Sequence, residues 1–414
     1  MVMRILFVAM SDSIHSARWI GQIAEQVWDI HLFPSTGMAI HPALKNVTLH
    51  DFAVRPWRLP SGVHLAERAW LWPFPRGRGL AARVLRQRPI APSWANFAEL
   101  ERYAVQCGVR LAKVIRQVKP DIVHSLEIQH AGYIALKARQ HLDIFPTWIV
   151  TNWGSDIFYF GRFPEHAAMI RSVLAACDYY SCECSRDVRL GREFGFNGQV
   201  LPVLPNTGGL DLEWIGQFRQ PGPTSARQWI LLKGPQGWVY RAMVGLRALE
   251  QCADALQGYS IGIYLAPPEV RRAAALMSKR TGIPVRIIPH TSHEEILRWH
   301  GRARVSIGLS ISDAISTSFL EAIAMGSFPI QSCTSCADEW MRDGETGALV
   351  PPEDTPLVAS AIRRALTDDV LVDRAAEQNA EIISKRLDYR KIQLQVIQMY
   401  ERVAEVTRCR QGGL

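Results

Sequence analysis

Short apolar runs alternate with helix-spaced segments along almost the whole chain. Arg4 to Ala9 reads as a buried strand, residues 16–26 carry apolar positions at helical spacing, and 30–33 is the next apolar run. Residues 96–118 predict a long helix, closed by Lys119-Pro120, and Asp121-Ile122-Val123-His124 a strand. Thr147-Trp148-Ile149-Val150-Thr151 is another strand, with 177–181 and 199–204 completing a first set. Pro205-Asn206-Thr207-Gly208-Gly209 breaks the pattern, and 220–225 has the composition of a linker. The series then restarts with a strand at Trp229-Ile230-Leu231-Leu232 and a helix over 241–256. Strands at 260–265 and 285–288, a helix over 294–302 and a strand at 305–309 follow. A last amphipathic stretch covers 387–406. Strand–helix alternation of this kind predicts an α/β chain with parallel sheets covered by helices. The expected domains are 1–215 and 226–386, with 387–414 as a trailing helix and tail.

Composition adds little to this: 48 % hydrophobic and 21 % charged residues are ordinary for a globular enzyme. No apolar run is long enough for a membrane span. Ser11-Asp12-Ser13 interrupts the apolar opening too early for a signal peptide, so a cytoplasmic location is expected. Eight scattered cysteines, with one CxxC at Cys333 and Cys336 and a close pair at Cys182 and Cys184, read as reduced thiols and not as a metal site. His293-Glu294 fails as a metalloprotease motif because Leu297 stands where a second histidine is needed.

The distribution of the +8 net charge is more telling than its size. Eight arginines face one acid, Glu67, between Arg55 and Arg88, interleaved with Trp57, Trp70, Trp72 and Phe74. This segment suits a peripheral membrane contact or a lipid-linked acceptor. A purely structural excursion fits equally, and nucleic acid is the least favoured partner because no recognised motif accompanies the patch.

The most specific stretch begins after the strand at 305–309. Asp313 opens a loop, Ser316, Thr317 and Ser318 follow, and Glu321 lies eight positions after Asp313 in a short helix that ends at Gly326. A strand–loop–helix puts such a loop at the carboxyl end of a parallel strand, where open α/β sheets bind ligands. The first N–H groups of the helix can hold an anion. Two carboxylates flanking an anion cradle suit a nucleotide-sugar, with its central diphosphate and a hydroxyl-bearing group at each end. The plain alternative makes Asp313 a helix N-cap and Glu321 a solvated helix residue.

These residues resemble the acidic motif of the retaining GT-B glycosyltransferases of family four. The resemblance implies two facing Rossmann-like domains, with a C-terminal helix crossing back to the first. It implies that Asp313 faces the donor sugar's hydroxyls and Glu321 the ribose. Lys233 and Arg241, around Gly234 after the first strand of the second half, stand where the family places a cationic pair against the diphosphate. Trp153-Gly154-Ser155-Asp156 matches the family's His-Gly-x-Asp element, with Trp153 in the histidine's place. Tryptophan cannot relay a proton. Gly154 would permit close approach, and Asp156 either holds a hydroxyl or caps the following helix.

On the acceptor side, His15 and Arg18 follow the first strand, and His124, Glu127 and His130 accompany another strand of the same half. With no metal-binding DxD pair and no cofactor signature, the implied activity is metal-independent transfer from a UDP- or GDP-sugar to a saccharide or lipid-linked acceptor. Retention at the anomeric carbon is implied, in surface-polysaccharide or glycolipid synthesis. A GT-B protein that binds sugar or nucleotide without transferring it is the alternative.

Overall fold

The computed structural model describes residues 2–36, 39–50, 59–66, 93 and 96–412. Most of the arginine-rich segment, and with it the expected membrane contact, lies outside the described residues. Contacts divide the chain into two compact units, 1–208 together with 392–414, and 209–391.

In the first unit β1 (Arg4–Ala9), β2 (Asp29–Pro34), β3 (Val47–Leu49), β4 (Val63–Leu65), β5 (Ile122–Leu126), β6 (Thr147–Thr151), β7 (Tyr179–Ser181) and β8 (Gln199–Val200) form one sheet. Its order is β4-β3-β2-β1-β5-β6-β7-β8, and every pairing is parallel. The strand order reverses between β1 and β5, which opens a crevice at their carboxyl ends. β5 is buried along its whole length, as expected of a strand covered on both faces. The helix Phe97–Val118 packs Leu111 and Ile115 into the same core as Val123, Trp148 and Val150. Asn96 caps it by accepting from the Glu99 amide at 3.2 Å, and Lys119 ends it in the left-handed region just before Pro120.

Three expectations shift in this unit. The first helix runs Ile14–Gly21 and gives way to tight turns, so it ends five residues before the expected 26. β8 has two residues where six were expected, because Pro202 and Pro205 supply no N–H for a ladder. β3 and β4 were not foreseen; three-residue strands carry too little pattern to register.

The second unit holds β9 (Trp229–Lys233), β10 (Ser260–Tyr264), β11 (Val285–Ile288), β12 (Ala303–Gly308), β13 (Phe328–Ser332) and β14 (Ala348–Val350). The order β11-β10-β9-β12-β13-β14, all parallel, is the doubly wound arrangement with its switch point between β9 and β12. Ile230, Leu232, Ile261, Ile263, Val305 and Ile307 fill its core.

The last helix, Tyr389–Gly412, buries Ile392, Val396, Met399, Tyr400 and Val403 along one stripe. From Ile392 onward it is part of the first unit. There the Trp19 indole donates to the Tyr400 hydroxyl at 2.9 Å.

Candidate functional site

At the switch point of the second sheet, Lys233 ends β9 with its Nζ 3.4 Å from Ser316 Oγ and 5.1 Å from the centre of the Tyr240 ring. Ser316 Oγ lies 2.9 Å from Ser318 Oγ. Ser316 is the N-cap of the helix Thr317–Ala324, yet its side chain makes no capping bond. Elsewhere in this unit Asp211, Ser292, Asp354 and Asp368 do cap their helices. The Ser316 hydroxyl is thus turned to the lysine ammonium and to Ser318 and not to the helix's own end.

Two details exclude the plain reading of the acidic motif. Asp313 lies three positions before the N-cap and does not cap the helix. Glu321 is 5 % exposed, not a solvated helix residue, and its Oε1 lies 2.6 Å from His293 Nε2. Burial alone would lower the Lys233 pKa. The electrostatic pull of Tyr240, Tyr264, Asp313 and Glu321 outweighs that burial, so the ammonium's pKa is raised and it stays charged. Beneath them, burial lowers His300 to about 4, so that ring is neutral.

Gly234 is required where it stands: a Cβ there would lie 2.6 Å from the Tyr264 carbonyl oxygen and 3.0 Å from the Ala266 Cα. Arg241 is placed elsewhere. It precedes the helix Ala242–Gln251, and its Nε pairs with Glu353 Oε1 at 2.7 Å while Nη1 donates to the Gly237 carbonyl at 3.0 Å. Lys233, Ser316 and Ser318 form one connected group, whereas the Arg241 guanidinium is turned to the Glu353 side.

In the first unit the loops after β1, β5 and β6 meet at the other switch point. The His15 ring lies edge-on to Trp153 with centroids 5.6 Å apart, and Arg18 sits in the last turn of the same helix as His15. Gly154 adopts φ +74°, which glycine tolerates without a Cβ clash. Asp156 is buried, and one of its carboxylate oxygens accepts from both the Trp153 and Ile128 amides at 3.0 Å. It therefore ties the β5 and β6 loops together, a role outside the two foreseen for it.

Glu127 takes φ +91°, uncommon for a side-chain-bearing residue, and accepts from the His130 amide at 3.0 Å at the start of a π-helical turn, Ile128–Gly132. Burial raises the pKa of both Glu127 and Asp156, and the Asp156 charge raises Glu127 further. His130 is 3 % exposed and stands edge-on to Tyr103.

His124 is withdrawn from the acceptor side. It is fully buried, with Nδ1 2.6 Å from the Tyr400 hydroxyl and Nε2 2.7 Å from Thr151 Oγ1. Because the Trp19 indole donates to Tyr400, the consistent network has Tyr400 donating to Nδ1 and Nε2–H donating to Thr151. Burial holds the ring neutral, with a pKa of about 3.

Two family models match the chain: Glycosyl transferases group 1 over 268–382, which contains the acidic motif, and Glycosyl transferase 4-like over 96–182. The sucrose-phosphate synthase from Thermosynechococcus elongatus has a similar structure. Its TM-score is 0.67 at 16 % identity, covering 97 % of this chain and 100 % of that one. Anabaena HepE in complex with UDP and glucose gives 0.64 at 14 % identity, over 96 % and 99 % of the two chains. Both family matches, and the fold shared with these structures, support a GT-B glycosyltransferase of family four. A phosphatidyl-myo-inositol mannosyltransferase from Mycobacterium leprae (strain TN) is 35 % identical over 85 residues. That match covers 20 % of this chain and 22 % of the relative, about a fifth of each.

Sequence reasoning missed His293, Tyr264 and Tyr240. Tyr264 had a usable signal, since it ends the strand next to β9 and so reaches the switch point. Nothing in the sequence links His293 to Glu321, which lies 28 residues away.

Proposed function

We propose that this glycosyltransferase moves a sugar from a nucleotide-sugar to an acceptor hydroxyl with retention at the anomeric carbon. In this reading the second unit holds the donor. Lys233 and the Ser316–Ser318 helix start receive the diphosphate, Glu321 the ribose hydroxyls and Asp313 the sugar hydroxyls. The observation that carries it is the Lys233–Ser316–Ser318 group beside a buried Glu321, at the switch point where doubly wound sheets bind nucleotides.

The donor's anomeric C–O bond breaks towards the diphosphate as the acceptor oxygen bonds to the same carbon on the same face. The acceptor proton passes to a leaving phosphate oxygen. The developing charge is met by the Lys233 ammonium and the helix N–H groups, so the step needs neither a divalent cation nor a protein base at Trp153. UDP and GDP donors both suit the site, and the UDP held by Anabaena HepE supports the former.

The first unit would receive a saccharide or lipid-linked acceptor, with Arg18 and His15 at its switch point. The mannosyltransferase match supports a lipid-linked acceptor in polysaccharide or glycolipid synthesis. The arginine-rich segment would then meet the membrane surface on the cytoplasmic side.

Thermal stability against a panel of UDP- and GDP-sugars, with wild type beside Glu321→Ala, tests the donor site. A ligand at about 100 times its Kd adds about 2.7 kcal/mol of stability. A shift for one nucleotide class that the variant loses is the expected result. No shift with any donor, in EDTA or in magnesium, would overturn the reading and leave a GT-B protein without transfer activity.

A further inference from the structure

His293 is the first residue of the helix His293–Arg302, and Ser292 caps that helix by accepting from the Glu295 amide at 3.2 Å. The cap fixes where the first turn starts and so where the His293 ring is carried. From there Nε2 reaches Glu321 Oε1 at 2.6 Å, joining this helix to Thr317–Ala324. The Glu321 side chain is 6 % exposed and the His293 side chain 37 %, so the pair runs from the protein interior out to solvent. A hydrogen bond that short, to a carboxylate, belongs to the strong class.

We propose that His293 is the positioning residue for the nucleotide's ribose: it locks the Glu321 carboxylate in the one orientation that can accept from adjacent ribose hydroxyls. This rests on the assignment of Glu321 to the ribose. A glutamate has three side-chain torsions, and gripping two hydroxyls at once needs its carboxylate plane fixed. A partner that fixes the plane beforehand spares the ligand that ordering cost. Both protonation states of His293 can donate from Nε2, so the role needs no particular charge on the ring.

The test is calorimetric binding of UDP and GDP against their 2′-deoxy counterparts. Wild type, Glu321→Gln, His293→Ala and His293→Gln are compared, the last returning an N–H at similar reach. Wild type should prefer the ribonucleotide, and Glu321→Gln should lose most of that preference. His293→Ala should narrow it by about tenfold, the scale of one hydrogen bond to a charged group, and His293→Gln should restore much of it. If His293→Ala weakens ribo- and deoxynucleotide equally, or not at all, the positioning role is overturned while Glu321 keeps its assignment. If Glu321→Gln leaves the ribose preference unchanged, the assignment itself fails and the proposal with it.

Discussion

The amide of Gly234 donates to the Tyr264 carbonyl at 2.8 Å, and that contact brings the residue after Lys233 against the end of the neighbouring strand. Ala in place of Gly234 would press its methyl into that carbonyl and into Ala266. Overpacking of this kind costs about 1–3 kcal/mol. Gly234→Ala is expected to lower the unfolding free energy by that amount, read from urea denaturation, and to weaken nucleotide binding, since Lys233 is displaced with it. Gly216→Ala, where the added carbon meets nothing within 4 Å, is the control and should be near neutral. Equal effects at the two glycines would remove the steric argument.

Lys233→Met keeps an unbranched stem of nearly the same length and deletes the ammonium. The loss should fall on the diphosphate: affinity for UDP or GDP should drop about 10- to 100-fold, the range for one charged hydrogen-bonding partner. Binding of the parent nucleoside should change far less. Parallel losses for nucleoside and nucleotide would place Lys233 away from the phosphates.

Glu127 and His124 give opposite pH dependences within one unit. Burial raises Glu127 to about 8 from an ordinary 4.5, so its contribution to stability is full below 4.5 and is lost as pH rises through 8. Burial lowers His124 to about 3 from 6.5, so its contribution is full above 6.5 and is lost as pH falls towards 3. Glu127→Gln should therefore gain in Tm relative to wild type between pH 5 and pH 8.5. A Tm difference that stays flat over that interval would mean that Glu127 is ionised throughout in the folded protein.

Tyr400→Phe removes an acceptor from the Trp19 indole and a donor from His124, both buried. Leaving two such groups without partners is expected to cost about 2–4 kcal/mol, read from equilibrium denaturation. A cost under about 0.5 kcal/mol would mean that the three side chains find other partners.

The parallel-sheet architecture was legible because buried strands such as Thr147–Thr151 and Trp229–Lys233 are nearly continuous apolar runs, bounded by helix-spaced segments. The position of Glu321 was legible because a strand, loop and helix fix it within one short stretch. Roles that depend on contacts distant in sequence were not. His124 ends the expected strand just as a ligand histidine would, but the strand runs on to Leu126, and Tyr400 of the last helix, 276 residues away, makes it a core residue. Asp156 looks like a residue that caps its own helix, but its partners include the Ile128 amide of another loop. Arg241 lies close to Lys233 in sequence, yet Glu353 takes its guanidinium. A basic side chain's direction is set by whichever acid the fold brings near, and sequence spacing does not encode that.

Because the last helix completes the first unit, the order of synthesis and the order of folding differ. Residues 209–391 are contiguous, so the second unit has its whole sequence before the first unit does. Trp19 and His124 are made early but receive their shared partner only once Tyr400 has left the ribosome. During that interval Ile392, Val396 and Val403, all buried in the finished protein, have not yet packed. A chain stalled at residue 391 is therefore expected to bind chaperones through its oldest part while its newest part is already folded.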